Sequence, residues 1–291
     1  MNDLSGFSKV IWRDPLKSEL YGKSWEELLK EELVLEPVLP SKYLDLINPM
    51  FAVVFKAPAG MGKTTSLINW GIKNGFDVYL QECSPDMQKE DFMGSWTIIG
   101  NETVFFAGEA PSAFNRAAMY SEEAKRTGKE PRKVLLIFDE INLIQPAVIK
   151  AMGSIFDARK YFNVPTGRIE AGDNLYIVGT MNAEEDSAGY ILDPAFRSRV
   201  LMVTISINEM IKSYKEHGVD YGSTSETWMR DTNGKISLRE LEQLAYLTAV
   251  KQVKLNDAVD YVIQKFDEED RKQVSEVWKQ LVMKAKVDGG K

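Results

Sequence analysis

Apolar positions along the chain fall into runs of two kinds. Short, nearly unbroken runs suited to strands buried on both faces occur at Phe51 to Lys56, Phe76 to Gln81, Val134 to Phe138, Leu175 to Gly179 and Val200 to Ser206. Between them, helical spacing marks Leu67, Ile68 and Ile72, ended by Asn74-Gly75, then Phe114, Ala117 and Ala118. A third stripe, Val148, Ile149, Met152, Ile155 and Phe156, follows Pro146. The alternation predicts an α/β fold, one five-stranded parallel sheet flanked by helices, whose first strand-helix-strand unit crosses over right-handedly. The charged segment Glu122 to Lys133 predicts a solvated loop.

From about residue 207 the pattern changes and no core strand is evident. Asn208 to Glu216, closed by Gly218, and Ser237 to Ala249, opened by the capping box Ser237 and Glu240, read as helices. Further helical stripes carry Val259, Val262, Ile263 and Phe266, then Val274, Val277, Trp278 and Leu281. The polar, glycine-containing stretch Asp220 to Lys235 predicts a mobile connection. Ahead of the first strand, Ser24 and Glu27 form another capping box before Trp25, Leu28, Leu29 and Leu33, and Pro37 and Pro40 end that helix. The resulting organisation is an N-terminal helical flank (1–45), an α/β domain (46–206) and a small all-helical lid (207–291). The flank is expected to pack on the core or on a neighbouring subunit.

Two β-rich runs flank Gly100-Asn101 and predict a hairpin over residues 94–108. Its Trp96, Phe105 and Phe106 either pack down on the domain or grip a partner. A second short hairpin is expected between Tyr161 and Asp173, around Pro165-Thr166-Gly167.

The chemistry lies where the strands end. Phe51 to Thr65 reads F-A-V-V-F-K-A-P-A-G-M-G-K-T-T, a strand, a Gly-rich turn and then a lysine and two threonines. In the turn Pro58-Ala59-Gly60-Met61-Gly62 and on to Thr65, the successive N–H groups after the proline can converge on a phosphate at the positive end of the following helix. In this P-loop pattern Lys63 reaches the β and γ phosphates and Thr64 ligates Mg²⁺. Ala57 stands where the pattern has its first glycine, and a negative φ would let it do so. The strand ending V-L-L-I-F-D-E-I-N places Asp139 and Glu140 at the same sheet edge. There Asp139 would hold Mg²⁺ through water, and Glu140 would orient and deprotonate an attacking water. Asn182, ending a third strand, adds a neutral amide suited to the γ-phosphate or the lytic water. Arg197 and Arg199 precede the last strand, a placement that by itself reads as a helix-dipole complement or surface pair.

Composition narrows the classes. Over 291 residues, a 44% apolar content suits an ordinary buried core, and one cysteine, Cys83, with one histidine, His217, excludes an internal disulfide and a zinc constellation. A net charge of −7 disfavours a broad nucleic-acid-binding field. No apolar stretch approaches the roughly 18 residues of a membrane span, so a cytoplasmic protein is the default.

In their order, the P-loop, the strand ending I-F-D-E-I-N, the strand ending I-V-G-T-M-N, the stretch L-D-P-A-F-R-S-R-V and a helical lid resemble an AAA+ P-loop NTPase, within it the MoxR-like and dynein-related group. The resemblance covers residues from about 45 to 250. It implies that Lys63 and Thr64 form Walker A, Asp139 and Glu140 Walker B, and that Asn182 is sensor 1. Arg199 becomes the arginine finger, with Arg197 its alternative, and Arg239 the sensor 2 residue. The two hairpins become the helix 2 insert and the pre-sensor 1 hairpin. The resemblance also implies an ATPase that uses ATP and Mg²⁺ at the subunit interfaces of a ring, expected to be a hexamer, and acts on a partner protein. Relatives often work with a von Willebrand factor A domain partner. A nucleic-acid motor, a nucleotide-gated switch and GTP as substrate stay open as alternatives.

Overall fold

The computed structural model describes residues 10–16, 39–156, 159–164, 167–182, 190–217 and 222–288. The expected helix after Ser24, with Pro37, Pro165, Thr166, Gly218 and Asp220, lies outside the described residues. In chain order, β1 (Val10–Ile11) and α1 (Ser41–Leu44) precede β2 (Ala52–Ala57), α2 (Lys63–Lys73) and β3 (Asp77–Glu82). Next come α3 (Lys89–Met93), β4 (Gly94–Ile99), β5 (Glu102–Ala107), α4 (Glu109–Thr127) and β6 (Val134–Asp139). A 3₁₀ turn, Ile141–Leu143, leads to α5 (Pro146–Ala151), α6 (Gly153–Phe156), β7 (Tyr161–Val164), β8 (Gly167–Glu170) and β9 (Leu175–Asn182). The chain closes with α7 (Pro194–Arg197), β10 (Val200–Thr204), α8 (Ile207–Glu216), α9 (Gly222–Asp231), α10 (Leu238–Ala245), a π-helical turn at Tyr246–Val250, α11 (Leu255–Ile263) and α12 (Glu268–Asp288).

The central sheet has five parallel strands in the order β10-β2-β9-β6-β3. Period-2 alternation divides its side chains between two cores. Val53 and Phe55 of β2 face α2 and the helices after β10, whereas Ala52 and Val54 face α4, α5 and α6. The order makes β2, β9 and β6 neighbours, so the turn after β2 and the ends of β9 and β6 meet at one edge.

Local expectations fail where polarity hides a buried face. The segment Asp220 to Lys235 is not a mobile connection: it contains α9, whose Trp228 and Met229 are wholly buried. The Trp228 indole N–H donates to the Val274 carbonyl at 3.1 Å, so two large side chains anchor a helix whose first turn is rich in serine and threonine. Likewise α4 runs through Glu122 to Thr127, and only at Gly128, φ 69°, does the helix end with an N–H bond to Ala124 O at 2.8 Å. Its terminal charges line the exposed side while Ala117 and Tyr120 stay buried. The stripe after Pro146 is split by Met152 into α5 and α6, with all five apolar residues buried.

Both hairpins form, β4 with β5 and β7 with β8. In the first, Phe105 packs down and Trp96 leans on it, ring centroids 5.1 Å apart, while Ile98 and Ile99 stand exposed beside the turn. The N-terminal segment joins this unit, since β1 pairs in parallel with β5. Arg13 N–H donates to Ser112 Oγ at 2.9 Å and Leu16 N–H to Val78 O at 2.7 Å. Residues 10–16 therefore run from the hairpin to the edge strand β3.

Candidate active site

The P-loop turn is shaped by backbone geometry. Ala57, the buried last residue of β2, pairs with Asn182 and keeps a negative φ, so alanine serves there without strain. Gly60 (φ 67°) and Gly62 (φ 69°) are left-handed, and Gly62 is the N-cap of α2. A Cβ on Gly60 would fall on the Ser237 hydroxyl and 3.6 Å from the Cβ of Arg239. The turn thus has the start of α10 packed directly against it. Tyr214 of α8 donates its hydroxyl to Met61 O at 3.0 Å, and the side chains of both are buried.

Lys63 is buried at the start of α2, and its ammonium donates to Ala57 O (3.0 Å), Pro58 O (2.8 Å) and Asn182 Oδ1 (2.9 Å). The Asn182 amide, at the end of β9, also donates through Nδ2 to Glu140 Oε1 at 2.9 Å. Thr64 and Thr180 both donate hydroxyls to Asp139 Oδ1, Thr180 at 2.6 Å. Thr180 Oγ1 in turn accepts the Glu140 N–H at 3.0 Å. Glu140 itself sits at φ 54°, ψ 49°, a left-handed conformation uncommon outside glycine and found at functional sites. Lys63, Thr64, Asp139, Glu140, Thr180 and Asn182 form one hydrogen-bonded circuit joining the start of α2 to the ends of β6 and β9. Thr65 lies beside it, exposed.

Cys83 borders the circuit and its N–H donates to Asp139 O at 3.1 Å. Burial, together with the Asp139 and Glu140 charges, pushes its thiol well above the ordinary range, so it stays a neutral, small apolar group.

The arginines occupy two places. Arg239, exposed at the start of α10, neighbours Gly60. The capping box beneath it is closed, since Glu240 accepts the Ser237 N–H at 2.8 Å and is also bound by the Ser237 hydroxyl and Lys265. Arg197 and Arg199 are exposed and, among the described residues, make no ion pair and no side-chain bond to the circuit. A Cβ on Gly153 would come within 2.6 Å of the Arg199 guanidinium, so that side chain lies across α6 of its own chain.

Residues 52–200, roughly half of the chain, match the AAA domain family, dynein-related subfamily. The chain belongs to this family. The matched span of the AAA domain holds the whole circuit together with Arg197 and Arg199, and ends before Arg239. The chain is similar to Protein NorQ of Paracoccus denitrificans (strain Pd 1222), 24% identical over 177 residues, which is 59% of this chain and 60% of that protein. It also resembles a crystal structure of a candidate ATPase from Cytophaga hutchinsonii ATCC 33406, 12% identical, covering 87% of this chain and 85% of the other at a TM-score of 0.43. Among the described residues no helix is long and apolar enough to cross a membrane.

Three participants escape reading by motif. Ser237 and Tyr214 reach the P-loop only through tertiary packing. Thr180 carries one local signal, because position i−2 from Asn182 shares its face of β9.

Proposed function

We propose that this AAA domain hydrolyses ATP with Mg²⁺ as one subunit of a ring, six-membered in the reading its family resemblance favours, and uses the cycle to remodel a partner protein. The circuit joining Lys63, Asn182, Glu140 and Asp139 carries this reading, since it gathers a phosphate cation, a polar amide, a base and a metal-ordering carboxylate at one sheet edge. Mg²⁺ fits the donor set. A hydroxyl and a carboxylate are hard oxygen ligands, and among the described residues no group of three His, Cys, Asp or Glu side chains forms a protein cage. Thr64 would ligate the ion directly and Asp139 through water. When bound, the ion neutralises charge on the phosphate oxygens.

ATP is the substrate. Its phosphates lie against the N–H groups of residues 59–65, and Lys63 transfers its bonds from Pro58 O and Asn182 Oδ1 to phosphate oxygens. Asn182, released from the ammonium, orients the attacking water. Glu140 takes that water's proton as the bond to the γ-phosphorus forms and ADP departs. Arg239 closes from the lid. An arginine from a neighbouring subunit, Arg199 or Arg197, completes the charge stabilisation, a contribution worth about 10³ to 10⁵ in rate. Its exposure supports delivery to another chain. The exposed Ile98 and Ile99 at the first hairpin's tip support contact with a protein.

Phosphate release from ATP and Mg²⁺, followed as protein concentration is raised, tests the reading. Specific activity should climb with assembly and vanish in Lys63→Ala. Activity independent of concentration, or undiminished in Lys63→Ala, contradicts it.

A further inference from the structure

We infer that Thr180 is a positioning residue for both carboxylates of the proposed ATPase site, the hydroxyl that keeps Asp139 and Glu140 in working geometry once nucleotide enters. This role rests on the proposed hydrolytic function. Thr180 is wholly buried in β9, paired with Phe55 on one side, and its hydroxyl both donates and accepts a directed bond. It donates to Asp139 Oδ1 at 2.6 Å and accepts the Glu140 N–H at 3.0 Å.

The geometry gives Thr180 two tasks. First, Asp139 Oδ1 is shared between Thr64 and Thr180. If Thr64 turns its hydroxyl to a metal ion, Thr180 is the donor left to hold that carboxylate and to aim Oδ2 at the metal's water shell. Second, the left-handed backbone of Glu140 puts its N–H in a position that continues neither the strand nor the 3₁₀ turn. The Thr180 oxygen satisfies that donor and so holds the strained conformation that swings the Glu140 side chain toward Asn182. Hydrogen-bond partners that orient metal-associated carboxylates typically contribute about 10- to 100-fold in metal affinity or activity.

The test compares Thr180→Val, which keeps the shape and removes the hydroxyl, with Thr180→Ser, which keeps the hydroxyl. Turnover is measured against Mg²⁺ concentration, and binding of a fluorescent ATP analogue is measured in EDTA and in Mg²⁺. In Thr180→Val we expect about 10- to 100-fold lower kcat, a half-saturating Mg²⁺ concentration raised by about tenfold or more, and metal-free binding within about twofold of wild type. Thr180→Ser should recover most of both losses. Should Thr180→Val fail to fold, Thr180→Ala replaces it in the same comparison. Wild-type Mg²⁺ dependence and kcat in the hydroxyl-free variant, or no recovery in Thr180→Ser, overturns the inference. If the wild-type protein itself releases no phosphate, the hydrolytic reading fails instead. Thr180 is then judged by Mg²⁺-dependent analogue binding, where equal metal response in Thr180→Val and wild type rejects its role.

Discussion

One amide group, that of Asn182, bonds both the Lys63 ammonium and the Glu140 carboxylate, each at 2.9 Å. Only the amide oxygen can face an ammonium, so its NH₂ must face the carboxylate. Replacing Asn182 with Ala should lower kcat by about 10²-fold, the size of effect seen when one oriented polar group is lost at a reacting phosphate or oxyanion, with nucleotide affinity changed far less. Asn182→Asp should instead set two carboxylates in contact, raise one of their pKa values and shift the pH–rate profile to alkaline pH. Steady-state kinetics over pH checks both outcomes.

The proposed division of the site between subunits has its own signature. Lys63→Ala subunits would lack the proposed phosphate cation and Arg199→Ala subunits the proposed finger, so each alone should be nearly inactive. Mixed rings would contain interfaces with an intact P-loop facing an intact finger. Hydrolysis should partly return in mixtures shown by native mass spectrometry to co-assemble, and co-assembly without recovery argues that Arg199 does not act in trans.

A buried lysine makes stability depend on pH. Lys160, in a left-handed turn at φ 39°, donates to Pro49 O and to Leu175 O at 2.8 Å. Burial lowers its pKa from 10.5 to about 8, opposed by the Asp173 charge. Between those values the unfolded chain binds the extra proton, so stability rises with pH. Relative to Lys160→Met, the wild type should gain about 2 kcal/mol between about pH 7.5 and pH 10. Urea unfolding of the pair measures the difference, and a pH-independent gap would count against a depressed Lys160.

The packing of α9 predicts a large core effect. Trp228 is wholly buried against Trp278, ring centroids 4.7 Å apart, and its N–H is bonded to α12. Trp228→Ala should cost about 3 to 5 kcal/mol by leaving a cavity and removing the indole's bond to the Val274 carbonyl. Denaturant titration reads this, and a loss under about 1 kcal/mol would show that the helices after β10 tolerate its removal.

These features differ in how openly the chain announces them. The P-loop and the Asp139-Glu140 pair are legible because each is a strand followed at once by its functional turn, a local pattern that needs no tertiary knowledge. The parallel sense of the strands and the hairpin at Gly100 follow from equally local cues. Lys160 is not legible, since a loop lysine is ordinarily exposed and its burial depends on two carbonyls far away in sequence. The helix α9 is hidden by serine and threonine, whose side chains favour turns until Trp228 and Met229 find a core. The pairing of Val10 and Ile11 with the hairpin is a long-range choice that two residues cannot signal.

In the proposed mechanism, Glu140 is the residue on which hydrolysis depends most directly. The Glu140→Gln variant keeps Lys63, Thr64 and Asp139, and glutamine can still accept a bond from Asn182, so binding of ATP with Mg²⁺ should remain within a few fold of wild type. Single-turnover hydrolysis should slow by about 10² or more, because the group that takes the water's proton is gone. Undiminished single-turnover hydrolysis by Glu140→Gln would contradict the assignment of this circuit as the catalytic site.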